Sequence, residues 1–451
     1  MNRVLFYGLM LLVVLSPLPL GSNREWSWSL CALLVALFTL LWTVSNLGQH
    51  GKVTRLPNML LPGLFLAVCA WVLIQVASWV PAGWKHPLWP MTSEVLGVNL
   101  AGTVSLAPED TWVALLRLLS YGLVFLLAYQ LGRDRNQAQT ALGWLAIAGL
   151  IYAAFGLFEF WAAYSPVWLF GEEAALPDVR STFVNRNHFA TWQGLVILCT
   201  IAWFYQKMSK PDVRPYHVPQ DREMRVEKII LTAWKPLIVL LIMVTALVLT
   251  HSRGGFISTL IAAIVLLLFL ERRASVQRAL SRFTVIAALS VASLAFYLTS
   301  EVLVNRLEQT DITTTQRLVV FESVSKGIED NLVLGYGYGT FANSFRLYDQ
   351  NEFKVHYDRA HNTWLENAFE LGVPAALTLY LCLIGLALVC FTGVRRRRRD
   401  WIYPATGVAA SILVGVHATM DFSLQIPAVA ILYACIMGVS CSQAYSSAGP
   451  E

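Results

Sequence analysis

Residues 236–273 read PLIVLLIMVTALVLTHSRGGFISTLIAAIVLLLFLERR. Two apolar runs, 236–250 and 254–271, are split by His251-Ser252-Arg253-Gly254-Gly255. Each run approaches the roughly 20 residues that carry an α-helix across a bilayer. A single kinked helix would place the Arg253 guanidinium in hydrocarbon, which is costly. The stretch therefore predicts two spans joined by a hairpin whose tip reaches the membrane surface.

The same pattern repeats outward in both directions. Of the 451 residues, 56% are hydrophobic and 14% charged, about half the charge fraction usual for a soluble domain. Mean hydropathy is +0.56. Apolar runs predict spans at 4–20, 26–46, 58–80, 111–132, 139–165, 188–207, 236–250, 254–271, 284–303, 372–393, 401–418 and 425–443. The expected fold is all-α: a polytopic transmembrane helix bundle of about 12 spans, forming a single integral-membrane domain over 1–451. The 16 Trp and 16 Tyr suit two interfacial belts. Arg3 and the run Val4–Leu15 imitate a signal peptide, but no small-x-small cleavage site precedes Gly21, so a retained first helix is expected. All seven cysteines lie in or at the ends of apolar runs, which favours small apolar filler over a disulfide framework or a metal cluster.

Loop charge orients the bundle. With both termini inside, the inner segments hold 21 Lys and Arg and the outer ones 11. The arginine run Arg395–Arg399 falls inside, as the positive-inside rule requires. The formal charge of +5 thus belongs to topology, and no nucleic-acid partner is implied. Two charges fall well within spans, Arg117 and Glu159, each about 9 Å from the outer end at 1.5 Å per residue. They are expected to pair as a structural brace.

The outer side then collects the polar clusters. A large segment at 304–371 carries an amphipathic stripe of Leu318, Phe321, Val324, Ser325 and Ile328, predicting short interfacial helices over the bundle. Arg180, Asn185, Arg186 and His188 lie before the sixth span, and Arg253 before the eighth. Arg317 and Arg359, and His361 with Asn362, lie in the large segment. Arginine grips phosphate because its planar fork bonds two oxygens and stays charged. At a helix start it can also simply snorkel to lipid head groups. Its setting among Asn, His, Ser and Gly favours the first reading for Arg186 and Arg253. His361 suits a general base for a sugar hydroxyl, or a hydrogen-bonding cap. Tyr336 and Tyr338, set between glycines, suit either sugar stacking or an interfacial loop; the spacing Gly335-x-Gly-x-Gly is not a nucleotide signature. No metal-ligand spacing appears outside, so metal-independent chemistry on an already activated substrate is expected.

These residues resemble the bacterial O-antigen ligase and O-antigen polymerase superfamily of membrane glycosyltransferases. The resemblance rests on His251-Ser-Arg-Gly-Gly, on Arg317 leading to Leu334-Gly-Tyr-Gly-Tyr-Gly-Thr-Phe341, and on Ala360-His-Asn-Thr-Trp-Leu-Glu366 followed by Leu371-Gly-Val-Pro374. Asn185-Arg-Asn-His-Phe189 and His417-x3-Asp-Phe-Ser-Leu-Gln-Ile-Pro427 look like motifs of its exopolysaccharide-polymerase-like members. The sequence departs from the family at Phe321, where Trp is common. The resemblance implies a glycan donor on undecaprenyl diphosphate at the periplasmic face of the inner membrane. By motif, Arg186 and Arg253 would handle the diphosphate and His361 would activate the acceptor hydroxyl, without cofactor. Arg180, Asn185, His188, Arg317, Tyr336, Tyr338, Arg359 and Asn362 would bind substrate. The acceptor is another lipid-linked glycan for a polymerase, which the Asn-Arg-Asn-His and Asp-Phe-Ser-Leu-Gln motifs favour, or lipid A–core for a ligase. Membrane lipids and polysaccharide-export machinery are the further implied partners. A flippase or transporter is the rival from another class, but transport favours charges along an inner cavity, and these spans are nearly charge-free.

Overall fold

A computed structural model of the chain describes residues 1–47, 59–162, 178–208, 222–273, 319–348 and 357–445. No β-strand occurs among them. The helices are α1 Asn2–Leu15, α2 Glu25–Asn46, α3 Leu60–Gln75, α4 Leu88–Leu96, α5 Pro108–Leu131, α6 Arg135–Ala162, α7 Arg186–Met208, α8 Arg222–Leu249 and α9 Arg253–Arg273. A helix at 319–330, α10, is followed by α11 Phe341–Ser344, α12 Thr363–Leu371, α13 Val373–Arg396, α14 Ile402–His417 and α15 Pro427–Gln443. Every predicted span has its helix except the ninth, 284–303, which lies outside the described residues, as does Arg317.

Length separates the spans. Among the described residues, five helices are long and apolar enough to cross a membrane: α2, α5, α6, α9 and α13. Others, such as Leu60–Gln75 and Ile402–His417, are apolar but shorter than 18 residues. Among the described residues the expectation of about 12 spans thus has eleven helices at the expected places, five of them long and apolar enough to cross. Helix α7 is set apart by composition, carrying Thr191, Gln193, Thr200 and Gln206. It tolerates them because it is central: Phe189, Trp192, Leu195 and Leu198 are fully buried, and α6, α8, α9, α14 and α15 pack around it. Gln193 Nε2 donates to the Gly149 carbonyl at 3.4 Å, giving the buried amide nitrogen a partner. Every residue of α15 is likewise buried. By contrast α2 exposes Leu30, Leu33, Leu37, Leu40 and Val44, the surface expected of a helix facing hydrocarbon.

The expected brace is not made. Helix α5 packs chiefly on α15, α2 and α3, whereas α6 packs chiefly on α7 and α8. Consecutive helices thus turn to different neighbours. Arg117 lies over the Trp28 ring at 4.7 Å, a cation–π contact with α2, instead of pairing with Glu159.

A polar cap covers one end of the bundle. Val320, Val324, Tyr336, Phe341, Phe345 and Phe369 form a small core of their own there. The glycine-rich turn at 335–339 docks on α12: Tyr336 N donates to Phe369 O at 3.2 Å, and Gly337 N to Glu370 O at 3.0 Å. Gly335, at φ 66°, is required, since a Cβ there would sit 2.3 Å from Glu370 O. Helix α12 is not the start of the next span, because Gly372 at φ 76° breaks it from α13.

Candidate functional site

Three helix starts meet at this polar end, and each carries one of the residues singled out in the sequence. Arg186 opens α7, where the Asn185 side chain accepts the Asn187 N–H at 2.8 Å. Arg253 opens α9, where Ser252 Oγ accepts the Gly255 N–H at 3.2 Å. Asn362 caps α12, accepting from Trp364 N at 3.0 Å and Leu365 N at 3.1 Å. Ser and Asn are strong caps because their oxygens take the free N–H groups of the first turn. His361 stands just before its cap with φ 52°, and His251 before Ser252 with φ 51°. These left-handed backbones re-aim both imidazoles at the cost of some strain. Helix N-termini also carry partial positive charge, so three of them together favour an anion.

Arg186 is held from outside its own helix. Its Nη1 lies 2.6 Å from Asp178 Oδ2, while Asp178 Oδ1 lies 2.6 Å from His251 Nδ1. The carboxylate thus bridges the loop before α7 to the hairpin before α9. Burial would raise the Asp178 pKa, but the His251 hydrogen bond and the Arg186 charge hold it below the ordinary carboxylate range. Arg253 is exposed and makes no ion pair among the described residues. Its glycines permit close packing: a Cβ on Gly255 would meet Ala190 Cβ at 2.5 Å, and one on Gly254 would meet His417 Cδ2 at 3.0 Å.

The hub of this arrangement is the turn at 417–425. His417 Nδ1 bonds Thr191 Oγ1 at 2.6 Å and Ser423 Oγ at 3.2 Å, tying the turn to α7. His188 Nε2 lies 3.6 Å from Asp421 Oδ1, both buried. Burial would raise the Asp421 pKa, but His188, His417 and the Phe422 N–H lower it to about 2. Phe422 is shared, with the His188 ring 4.7 Å away on edge and the His361 ring 5.1 Å away. Thr363 N and Oγ1 donate to the carbonyls of Ala418 and Asp421, both at 2.9 Å, fixing the start of α12 on the same turn. Arg186, Arg253, His188 and His361 are thus gathered around one turn, though no hydrogen bond or ion pair joins His361 to either arginine among the described residues.

The remaining sequence candidates divide. Arg180 Nη1 donates to Val184 O at 3.3 Å and braces the loop before α7. Arg359 Nη1 bonds the fully buried Glu366 at 3.1 Å, and Glu366 also accepts from Ala360 N and Gln425. Tyr336 corrects the expectation of sugar stacking. It is 2% exposed, stacked on Phe369 at 4.4 Å and bonded to Tyr348, because the cap needs it as core. Tyr338 lines a cavity of about 550 Å³ together with Arg117, Tyr121, Arg359, Glu370 and Gln425. Asp178, Glu366 and Gln425 were not foreseen. Asp178 and Glu366 each have an arginine partner eight and seven residues away, whereas the His251 partner of Asp178 and the Glu366 partner of Gln425 lie 73 and 59 residues away.

Residues 238–381 match the model of the family described as Wzy_C, O-antigen ligase. Comparison with curated proteins gave no match.

Proposed function

From the place of residues 238–381 in the O-antigen ligase and polymerase superfamily, a family of membrane glycosyltransferases, we propose that this chain is an inverting enzyme transferring a glycan from undecaprenyl diphosphate to an acceptor hydroxyl. The observation that carries the reading is that the helices started by Arg186, Arg253 and the His361-Asn362 cap each touch the 417–425 turn, through Thr191 on His417, Gly254 against His417 and Thr363 on Asp421. His361 takes the acceptor proton while the hydroxyl oxygen attacks the anomeric carbon. The bond from that carbon to the diphosphate oxygen breaks, and the departing lipid diphosphate keeps the electron pair. Arg253 and Arg186 stabilise the charge growing on it, aided by the N-termini of α7 and α9. The diphosphate leaving group supplies the drive, so the step uses no cofactor.

Asp178 sets the two halves of this grip in one frame, since one carboxylate holds both Arg186 and the hairpin that presents Arg253. Incoming diphosphate competes with Asp178 for Arg186 and meets Arg253 already open to solvent. The charge bias of the loops supports a site on the periplasmic face of the inner membrane, with both termini cytoplasmic. The joining of His188 in the Asn-Arg-Asn-His motif to Asp421 in the Asp-Phe-Ser motif supports the polymerase reading, in which the acceptor is a second lipid-linked glycan. The family description favours the ligase reading, in which it is lipid A–core. Reconstitution of the full chain with lipid-linked glycan tests the proposal. Glycan lengthening or transfer is expected, and intact donor after incubation with every acceptor would overturn it.

A further inference from the structure

The 550 Å³ cavity is lined by none of Arg186, Arg253 and His361. It lies between α3, α5, α13 and α15, on the side of the 417–425 turn given by Leu424 and Gln425. Its deeper wall is apolar, formed by residues such as Phe65, Phe125, Leu126, Leu383, Leu386 and Met437. Its mouth is polar, and three buried atoms there lack a hydrogen-bond partner among the described residues: Arg117 Nε, Tyr121 Oη and Gln425 Oε1. A buried polar group without a partner is expensive, most of all where water is scarce. Two of these atoms are donors and one is an acceptor.

The acids of the same wall are already engaged. Asp110 accepts from Asn343 at 2.7 Å, and Glu370 accepts from Phe341 N at 2.8 Å. Burial and then the neighbouring Glu366 charge push Glu370 up toward its neutral form. Glu25 sits exposed at the rim. Arg359 is answered by Glu366, which leaves Arg117, among the described wall residues, as the cation matched by no carboxylate.

We infer that this cavity binds the hydrocarbon chain and phosphate of a single-chain polyprenyl-type lipid, and that this lipid anchors the acceptor glycan. The second clause rests on the glycosyl-transfer reading above. The apolar wall takes the head-proximal part of one chain; Arg117 and Tyr121 donate to the phosphate, and Gln425 Oε1 accepts from a hydroxyl of the first sugar. The geometry then delivers that sugar to the proposed base. Arg359 at the mouth and His361 two residues on both face Phe422, at 5.9 Å and 5.1 Å from its ring. Donor and acceptor would reach the 417–425 turn from opposite sides.

The test uses the full chain in lipid nanodiscs and undecaprenyl phosphate with a photoreactive chain. Crosslinks are expected on the cavity stretches of α5 and α15. Ala434→Phe, which fills the apolar part, and Arg117→Gln, which removes the cation, should each cut labelling about tenfold, equal to 1.4 kcal/mol. Both should raise the KM for a lipid-linked acceptor by a similar factor, with kcat little changed. Leu119→Phe, on the exposed face of α5, should leave labelling unchanged. Undecaprenol, without phosphate, should label weakly and be indifferent to Arg117→Gln. Labelling that maps elsewhere, or that excess two-chain phospholipid displaces as well as unlabelled probe does, overturns the inference while leaving glycosyl transfer standing. Cavity labelling in a wild-type protein that transfers nothing overturns the acceptor role and the proposed function, but keeps the lipid site. Should Ala434→Phe fail to insert, the wild-type crosslink map and Arg117→Gln still decide.

Discussion

Arg186, beside the turn at 417–425, and Arg117, in the neighbouring cavity, are held in opposite ways. At the turn, Arg186 is locked to Asp178 at 2.6 Å, and that carboxylate is itself locked to His251. In the cavity, Arg117 rests on the face of Trp28 with its Nε unsatisfied among the described residues. A guanidinium held by a carboxylate is positioned before any ligand arrives, and a diphosphate must exchange with its partner. A guanidinium held only by an aromatic face keeps its donors for a ligand. The first arrangement suits orientation of a reacting bond, and the second suits retention of an anchor.

The largest effect should come from the residues nearest the chemistry. His361→Ala should lower transfer by about 10²–10⁴-fold, the usual contribution of a positioned base. Arg253→Ala should lower it by about 10²–10³-fold, as for loss of one charge-stabilising donor. Both are read as turnover of lipid-linked glycan by protein that inserts normally; near-normal product from either variant breaks the assignment. Asp178→Asn comes next. It removes the bridge between Arg186 and the hairpin without touching substrate, and should cost on the order of 10²-fold in kcat through misplacement alone. A purely structural Asp178 would instead lower the yield of folded protein and leave its kcat unchanged.

The same carboxylate fixes a pH limit. Its pKa is depressed in the folded protein, so the ion pairs contribute stability above the ordinary value of 3.8 and lose it as pH falls through the lowered value. The Tm in detergent should therefore fall as pH drops through that lowered value, and Asp178→Asn should remove this acid-side loss of stability. Gly335→Ala sharpens the contrast from the cap side. Strain at φ 66° and the 2.3 Å approach to Glu370 O should destabilise the cap by about 1–3 kcal/mol, read as a lower Tm in detergent. The smallest effect belongs to Arg135→Ala. This breaks a half-exposed pair with Asp400 at 2.8 Å, remote from both regions, and should cost under about 1 kcal/mol with activity unchanged.

How far the site could be read from sequence follows from how local each signal was. The hairpin at 251–255 was legible because a charged, glycine-containing break inside hydrophobic sequence has few physical solutions. Helices do begin at Arg186 and Arg253, where polar loops were expected to enter them, but the cap of α12 is Asn362 and not the expected His361. Tyr336 misled because alternation with glycine exposes no sign of what packs on it; Phe369, 33 positions along, made it core. Arg117 was rightly marked as a charge in need of a partner. The partner was a Trp on α2 rather than the acid on α6, because helix order in the chain does not fix helix neighbours in the bundle.

What the sequence determined by itself is therefore the all-helical class and the place of the long apolar helices among the described residues, since hydrophobic length and helix-breaking residues act over a few positions. What only the tertiary structure decided is which groups meet: Asp178 with Arg186 and His251, His188 with Asp421, and Arg117 with the Trp28 ring. Those pairings depend on helix rotation and neighbour choice, which arise from packing complementary surfaces across the whole bundle and leave no periodic trace in any one segment.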